Sequence, residues 1–239
     1  MSEDFLSPAP SEPPSDPGHT VILLHGILLN RWWMWPLELF LRSRGFRTLN
    51  LTYPSTRKKI EECAQFVSER IEAASQRTPI TSVDWVTHSM GGLVARRAIT
   101  QGITPPTRTL VQLVPPNRGS AMARGWRPSR LYRFLYGTEA GFQLGESAEQ
   151  VDAICGIPKE ISWGIILGET SHGIRDSLLE RPHDGVVSHS EMRPSGCDLP
   201  ETLVEMSHTP LLFLPEVWER AARFLVSGRF HLPDEVRDR

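Results

Sequence analysis

The sequence VDWVTHSMGGLV, residues 83–94, is the strongest structural signal in this chain. An apolar run leads into Ser89, small residues flank this serine, and a helix-forming run follows at once. This order is typical of a nucleophile elbow, G-x-S-x-G, in which a sharp strand-to-helix turn lifts the serine hydroxyl out of the backbone. Gly91 fills the second glycine position, whereas Thr87 replaces the first. We therefore predict that Ser89 is a nucleophile; the alternative is a serine N-cap on an ordinary turn.

Strand and helix patterns alternate on both sides of this stretch. Short apolar runs predict strands at 21–24, 47–51, 82–87, 110–114, 161–167 and 202–205, and periodic apolar positions predict helices at 35–44, 57–76, 91–101 and 215–226. Pro36 is expected in the first turn of its helix, and Gly45 beyond its end. The alternation predicts an α/β fold with a mostly parallel sheet and helices on both faces. Reactive groups in such sheets lie at the carboxyl ends of the strands.

Composition fits one folded domain with a polar tail. The chain has 239 residues, of which 39% are hydrophobic and 23% are charged. Residues 1–18 are rich in Pro, Ser and acids, so we expect a disordered tail there. We expect a single domain at 19–239, with a cap-like insertion at approximately 118–155. The 26 basic residues against 28 acidic ones give a formal net charge of −2, which argues against a nucleic-acid partner.

The same composition bears on location and on bound groups. No apolar run is long enough to span a bilayer, and the acidic first residues do not resemble a secretory signal. A cytoplasmic location is therefore expected. The three cysteines, Cys63, Cys155 and Cys197, are widely spaced and expected to be free thiols. Neither a metal nor a cofactor is expected.

The segment His25-Gly26-Ile27 follows the first strongly apolar strand. Ester hydrolysis develops negative charge on the carbonyl oxygen, and two backbone N–H groups can stabilise that charge. We expect one N–H from Ile27 and the other from Met90, the residue after the nucleophile. Gly26 would let the loop approach Ser89, and His25 is expected to orient the loop.

A serine nucleophile needs a histidine base, and the base needs an orienting carboxylate. His208 stands after an apolar strand and before the last helix, which favours it as the base. Asp184 lies in a polar turn before Gly185, which favours it as the acid; Asp198 is the runner-up, and an ordinary Asx turn at Asp184 is the alternative. Asp84 is interpreted as structural. The less favoured histidines are His172, His183, His189 and His231, and the less favoured aspartates are Asp152 and Asp176.

Together these motifs resemble an α/β-hydrolase of the bacterial lipase/esterase branch. The resemblance rests on LLHGI at 23–27, THSMGGLV at 87–94, PPNRGS at 115–120, DGVV at 184–187 and SHTPLL at 207–212. It implies the α/β-hydrolase fold, with Ser89 as nucleophile, Asp184 as acid and His208 as base. It also implies an oxyanion hole made by the N–H groups of Ile27 and Met90.

The resemblance implies a calcium site in some secreted relatives, where an aspartate stands two residues after the histidine. Here Pro210 holds that position, so no calcium is expected. The resulting hypothesis is a serine hydrolase that cleaves carboxyl esters of small molecules or lipids through an acyl-enzyme. One alternative is an acyltransferase, thioesterase or amidase with the same triad. An alternative of another class is a catalytically inactive hydrolase-fold binding protein.

Two aromatic segments lie outside the triad. Trp32, Trp33 and Trp35 are expected to line the acyl or alcohol pocket, although helix-start packing would also explain them. Residues 85–138 contain no Asp or Glu and eight arginines. Within them, residues 124–136 interleave arginines and aromatics, which suggests a cap that touches an anionic lipid interface. The alternative is a cap helix whose aromatics pack inward while its arginines are solvated.

Overall fold

The computed structural model describes residues 16–170 and 177–231, in which strands and helices alternate. In chain order the strands and helices are β1 (His19–Leu24), α1 (Arg31–Ser43), β2 (Thr48–Leu51), α2 (Ile60–Ser75), β3 (Ser82–His88), α3 (Met90–Thr100), β4 (Thr107–Leu113), α4 (Ala121–Trp126), α5 (Arg130–Tyr136), α6 (Ala140–Gln143), α7 (Ala148–Cys155), β5 (Ser162–Gly168), α8 (His189–Met192), β6 (Glu201–Val204), a 3-10 turn (Pro210–Phe213) and α9 (Pro215–Ser227).

The strands form one sheet in the order β2-β1-β3-β4-β5-β6. Every neighbouring pair of these strands runs parallel, which confirms the predicted sheet type. Leu24 at the end of β1 pairs with Thr87 near the end of β3. The loops that follow these two strands therefore meet at the same edge of the sheet, near its middle.

Helices cover both faces of the sheet, as the sequence predicts. Along β1, Val21 and Leu23 pack in the cluster that contains the apolar side chains of α1 and α9. Ile22 and Leu24 point to the opposite face and pack in the cluster that contains those of α2 and α3. Side chains alternate between the two faces of a strand, so the all-apolar run 21–24 within β1 fits only a position covered on both faces.

Helix α1 differs from its prediction. It begins at Arg31, not at residue 35, because the Asn30 side chain caps it and accepts a hydrogen bond of 3.1 Å from the Trp32 N–H. Pro36 consequently lies inside the helix rather than in its first turn. It has no N–H to donate to the carbonyl four residues earlier. Gly45 follows the helix with a φ of 84°.

The predicted insertion at 118–155 contains α4 to α7 and joins β4 to β5. It rests on the loop that follows β2. The Ala140 N–H donates to the Lys58 carbonyl at 3.2 Å. A Cβ at Gly137 would lie 1.9 Å from the Thr56 carbonyl oxygen, so only glycine allows this approach.

The amino-terminal boundary also differs from its prediction. The Thr81 hydroxyl donates to Asp16 at 2.5 Å, and the Arg47 guanidinium donates to the Pro17 carbonyl at 3.2 Å. Residues 16–18 therefore belong to the folded body, and the rest of the predicted tail lies outside the described residues. A search of the described helices for one with the length and apolar character of a membrane span found none.

Candidate active site

Ser89 lies between β3 and α3 with a φ of 51° and a ψ of −125°. A positive φ is uncommon for a residue with a side chain and costs about 1–3 kcal/mol, so the surrounding structure must hold it in place. The Ser89 N–H donates to the Leu113 carbonyl at 2.9 Å. A Cβ at Gly91 would lie 2.7 Å from the His25 carbonyl oxygen, so glycine is required there. The backbone geometry is that of the expected elbow.

Thr87 replaces a glycine without opening the elbow. Its side chain is fully buried, and its hydroxyl donates to the Val111 carbonyl at 3.3 Å. The hydroxyl thus finds an acceptor on the neighbouring strand β4. A small polar side chain therefore satisfies this position.

The loop after β1 closely approaches Ser89. A Cβ at Gly26 would lie 2.8 Å from His88 Nδ1 and 3.1 Å from Ser89 Cβ. Ile27, the next residue, is half-buried. Met90 is the first residue of α3, so its N–H is among those with no acceptor within the helix. The two predicted oxyanion-hole residues therefore lie at the same edge of the sheet, Met90 directly after Ser89 and Ile27 directly after Gly26.

His25 fixes the conformation of this loop. Its ring stacks on Tyr53 with 4.4 Å between centroids, and its Nδ1–H donates to the Gly26 carbonyl at 2.7 Å. Its Nε2 accepts the Tyr53 N–H at 3.4 Å. Burial lowers the pKa of His25 to about 4, so the ring is neutral at neutral pH. These contacts agree with an orienting role.

Asp184 and His208 form a buried hydrogen-bonded pair. His208 Nδ1 lies 2.5 Å from Asp184 Oδ2, and the His208 N–H donates to the Asp184 carbonyl at 3.0 Å. Asp184 Oδ1 accepts the N–H groups of Val186 and Val187, each at 2.8 Å. The Asx-turn interpretation and the acid interpretation are therefore compatible, since each uses a different carboxylate oxygen.

His88 connects this pair to the elbow. Its ring lies 5.0 Å from the His208 ring between centroids, and its Nε2–H donates to the His208 carbonyl at 3.1 Å. Burial, followed by the positive charge that His208 can carry, lowers the pKa of His88 well below its usual range. A neutral His88, which directly precedes Ser89, therefore holds the His208 backbone at the carboxyl end of β3. The sequence reasoning missed this residue, although its place directly before the serine was a signal.

The other histidines are engaged elsewhere. His183 Nδ1 accepts the Gly185 N–H at 3.1 Å, which supports the Asp184 turn. His189 contacts the Gly168 carbonyl at 2.9 Å, and His231 contacts the Thr202 hydroxyl at 2.9 Å. The candidates His172 and Asp176 lie outside the described residues. Across residues 16–170 and 177–231, no group of three or more His, Cys, Asp or Glu side chains could hold a metal ion.

Arg96 joins helix α3 to the insertion. Its side chain is fully buried and donates to Asp152 at 2.7 Å, to the Gly156 carbonyl at 2.6 Å and to Asn117 at 3.1 Å. The Asn117 side chain in turn donates to Gln112 at 2.7 Å. A buried guanidinium must be paired in this way, because an unpaired one would be costly. The sequence reasoning assigned no role to Arg96.

The three predicted pocket tryptophans lie on two different sides of α1. The Trp33 ring lies 5.9 Å from that of Phe213, in the 3-10 turn that follows His208. Trp32 and Trp35 instead line a cleft of about 310 Å³ with residues of β2. The described lining of that cleft does not include Ser89, Asp184 or His208. The structure therefore places Trp33, but not Trp32 and Trp35, on the side of α1 that faces the 3-10 turn after His208.

A parallel sheet that carries a strained serine between a central strand and the next helix defines the class of α/β-hydrolases. The model of the alpha/beta hydrolase family matches residues 21–224, and the chain belongs to this family. The resemblance found in the sequence is thereby confirmed. A search of curated protein sequences gave no match.

Solved structures of lipases and esterases share the fold. A lipase from Bacillus licheniformis in its mature form is 15% identical, with 86% of this chain and 90% of that chain covered and a TM-score of 0.66. An esterase from Pyrococcus furiosus is 17% identical, with 90% and 84% covered and a TM-score of 0.60. A phospholipase from Legionella pneumophila is 14% identical, with 90% and 60% covered and a TM-score of 0.61. At such identities the likeness shows the fold alone.

Proposed function

We propose that this protein is a serine hydrolase that cleaves carboxyl esters. The observation that carries the proposal is the His208–Asp184 pair, joined through His88 to a serine with positive φ at the start of a helix. These groups supply a nucleophile, a base and an orienting carboxylate, which together define acyl-transfer chemistry. The neighbours named lipase, esterase and phospholipase support an ester substrate.

In the proposed mechanism Ser89 Oγ attacks the ester carbonyl carbon while His208 Nε2 takes its proton. Asp184 Oδ2 holds His208 Nδ1–H and stabilises the imidazolium that forms. His208 then gives the proton to the departing alcohol, and an ester between the acyl group and Ser89 remains. Water attacks this ester with His208 again as base. The carboxylic acid leaves and the serine hydroxyl is restored.

The proposed oxyanion hole consists of the N–H groups of Ile27 and Met90. The Met90 N–H also lies at the positive end of the α3 dipole, which favours negative charge there. Each such donor typically lowers the activation free energy by several kcal/mol, since it is in place before the charge develops. Gly26 permits the approach of the loop, and the neutral His25 ring holds it.

The test is hydrolysis of a panel of p-nitrophenyl esters of increasing acyl length, with matched thioesters and anilides. We expect ester turnover and covalent labelling of Ser89 by a fluorophosphonate probe. Faster cleavage of the thioester or anilide would replace the ester assignment, and a transfer product formed with added alcohols would indicate an acyltransferase. Absence of both turnover and labelling in the folded protein would indicate an inactive fold.

We further propose that helix α5 contacts a lipid surface. Phe134 is 84% exposed and Leu131 is 59% exposed, on a helix that also exposes Arg130. Exposed apolar and cationic side chains on one helix are typical of interfacial binding. Tyr132 packs inward, with its hydroxyl on the Gly141 carbonyl at 2.7 Å, as the alternative interpretation expects. Phe134 does not.

The arginines of residues 124–136 are not equivalent. Arg124 donates to the Gly145 carbonyl at 3.0 Å, and Arg127 lies 3.1 Å from the Glu146 carboxylate. Arg133 donates to the Arg127 carbonyl at 3.2 Å. These three side chains help to hold the insertion together. Arg130 is therefore the arginine best suited to meet an anionic headgroup.

A further inference from the structure

Leu28 lies in a tight turn, directly after the proposed oxyanion residue Ile27. The Leu29 N–H donates to the Gly26 carbonyl at 3.3 Å, which closes a turn with Ile27 and Leu28 at its centre. Leu28 has a φ of 66°, whereas Ile27 is not among the residues with a positive φ. A positive φ at the second central position is typical of a type II turn, where glycine or asparagine is usually found. A leucine there carries backbone strain.

The conformation of this turn does not by itself require leucine at position 28. Glycine or asparagine would adopt the same φ with less strain. Packing in the core does not require leucine either. Ile27 and Leu29, on either side, pack against the two core clusters, whereas Leu28 is 44% exposed. A strained leucine that remains exposed therefore calls for an apolar contact from outside the chain.

Leu28 is close to the candidate nucleophile. A Cβ at Gly26 would lie 3.1 Å from Ser89 Cβ, and Leu28 stands two residues further along the chain. Two residues span at most about 7 Å between their Cα atoms. An ester attacked by Ser89, with its carbonyl oxygen on the Ile27 N–H, would therefore have a substituent within reach of the Leu28 side chain.

Apolar side chains are also exposed after the candidate base. Phe213 is 45% exposed and belongs to the 3-10 turn that begins two residues after His208. Trp33 is 38% exposed, and its ring lies 5.9 Å from that of Phe213 between centroids. The segments that follow the proposed oxyanion residue and the candidate base thus both expose apolar groups. Such surfaces favour an apolar ligand, because the two surfaces leave water together.

We propose that Leu28 contacts the hydrocarbon part of the ester substrate and sets the preference for its chain length. The contact presupposes the ester hydrolysis proposed for Ser89, since it concerns the same site. A leucine side chain offers neither charge nor a hydrogen bond, so it selects by apolar area alone. The strain at Leu28 is retained because the residues that would relieve it lack this apolar surface. A substitution that relieves the strain should therefore weaken the contact with the substrate.

The test compares monomeric p-nitrophenyl decanoate with p-nitrophenyl acetate in the wild type and in Leu28→Asn. We expect the decanoate-to-acetate ratio of kcat/KM to fall about tenfold, mainly through a higher KM for the decanoate. Leu28→Gly should lower the ratio in the same way. The urea midpoint of neither variant should fall, because both residues tolerate a positive φ. An equal loss of kcat on both esters would mean that Leu28 only shapes the turn, and would overturn the proposal.

Two matched controls separate the strain from the apolar contact. Glu160→Asn changes an exposed residue with a φ of 60°, two positions before β5 at the amino ends of the strands. Leu203→Asn removes from β6 a leucine with the same exposure as Leu28, 44%. Each control should leave the decanoate-to-acetate ratio within about twofold. A tenfold change in either control would contradict a contact specific to Leu28.

Further arms locate the chain and separate this contact from hydrolysis itself. A series of alkyl acetates tests the alcohol side, and Leu28-dependent selectivity in that series rather than in the acyl series would assign the chain to the alcohol. Binding of 1-O-octylglycerol to Ser89→Ala, measured by calorimetry, needs no hydrolysis and should weaken about tenfold when Leu28→Asn is added. If this holds while no ester is cleaved, the proposed hydrolysis fails and the apolar contact stands. Selectivity unchanged by both Leu28 variants, a loss seen only with vesicle-bound ester, or unchanged octylglycerol binding would overturn the proposal.

Discussion

Strand β3 has a serine–histidine–aspartate set near each of its ends. At the carboxyl end, Ser89 follows the strand, and His208 lies 2.5 Å from Asp184 and is bonded through its carbonyl to His88, the last residue of the strand. At the amino end, His19 Nε2 lies 2.6 Å from Asp84 Oδ2, and His19 Nδ1 lies 2.8 Å from the Ser82 hydroxyl. Both histidine–carboxylate pairs are buried.

The backbone around the two serines differs. Ser82 is the first residue of β3 and pairs in register with His19, so its backbone is part of a regular ladder. Ser89 has a positive φ and directly precedes α3, so it lies beside helix N–H groups that have no acceptor within the helix. Ser82 has no such helix start. Residue types alone thus do not define the candidate site; the turn and the N–H donors beside it do.

Substitution of the two serines should distinguish the ends of β3 most strongly, through activity. Ser89→Ala should lower kcat/KM for a p-nitrophenyl ester by about 10⁴–10⁶-fold, because it removes the nucleophile. Ser82→Ala should leave kcat/KM within about twofold, because Ser82 lies at the amino end of β3, away from Ser89. A change of that size corresponds to less than about 0.5 kcal/mol in activation free energy. Circular dichroism checks that both variants fold. A fluorophosphonate probe that still labels the Ser89→Ala variant would contradict the assignment.

Substitution of Asp184 should affect activity, whereas substitution of Asp84, at the amino end of β3, should not. Asp184→Asn should lower kcat by about 10⁴-fold, because His208 loses the carboxylate that holds its tautomer and stabilises its charged form. Asp84→Asn is the matched control and should retain wild-type activity per folded molecule. Steady-state kinetics with active-site titration measure both. Equal losses at the two positions would remove the distinction between the ends of the strand.

Asp84 should instead matter for folding. Asp84→Ala should lower the free energy of unfolding by about 3 kcal/mol, because His19 would stay buried without its partner. Asp84→Asn keeps an oxygen acceptor and should lose less. Urea unfolding followed by tryptophan fluorescence measures the change. A loss under about 0.5 kcal/mol for the alanine variant would mean that the pair contributes little.

Acid should destabilise the fold because His25, in the loop after β1, is buried in its neutral form. The pKa of His25 is about 4 in the folded state and about 6.5 in the unfolded chain, so protons bind the unfolded state first. The free energy of unfolding should therefore fall by about 2–3 kcal/mol between pH 6.5 and pH 4 on account of His25. Urea midpoints at several pH values measure this slope. His25→Gln should make it shallower; an unchanged slope would exclude His25 as a cause.

Substitutions at the proposed lipid contact should change binding only modestly. Arg130→Gln should weaken binding to anionic vesicles about fivefold, since one arginine near such a surface contributes about 1 kcal/mol. Arg108→Gln changes an exposed arginine of β4 near the amino ends of the strands, and it should have no effect. Vesicle sedimentation at low and high salt measures both, and salt should weaken the wild-type binding. Equal wild-type binding to neutral and anionic vesicles would exclude an electrostatic contact.

Much of the fold could be read from local patterns. The all-apolar run of β1 identified a strand buried on both faces, and the apolar period of α2 identified a helix. The predicted start of α1 was wrong. Pro36 is typical of a first helical turn, whereas the Asn30 side chain caps the helix one residue before Arg31. Local turn chemistry decided that boundary more strongly than the proline did.

The candidate site likewise has features that local patterns predict and features that depend on tertiary contacts. Local patterns indicate which residue types follow which strands. Because parallel strands bring their carboxyl ends to one edge of the sheet, Ser89, Asp184 and His208 could be predicted together. The bond from His88 to His208, and the different sides of α1 that Trp33 and Trp35 face, could not be predicted and emerge from the folded chain. Such contacts join residues far apart in the chain. They depend on strand order, helix rotation and side-chain packing, which leave no short-range pattern in the sequence.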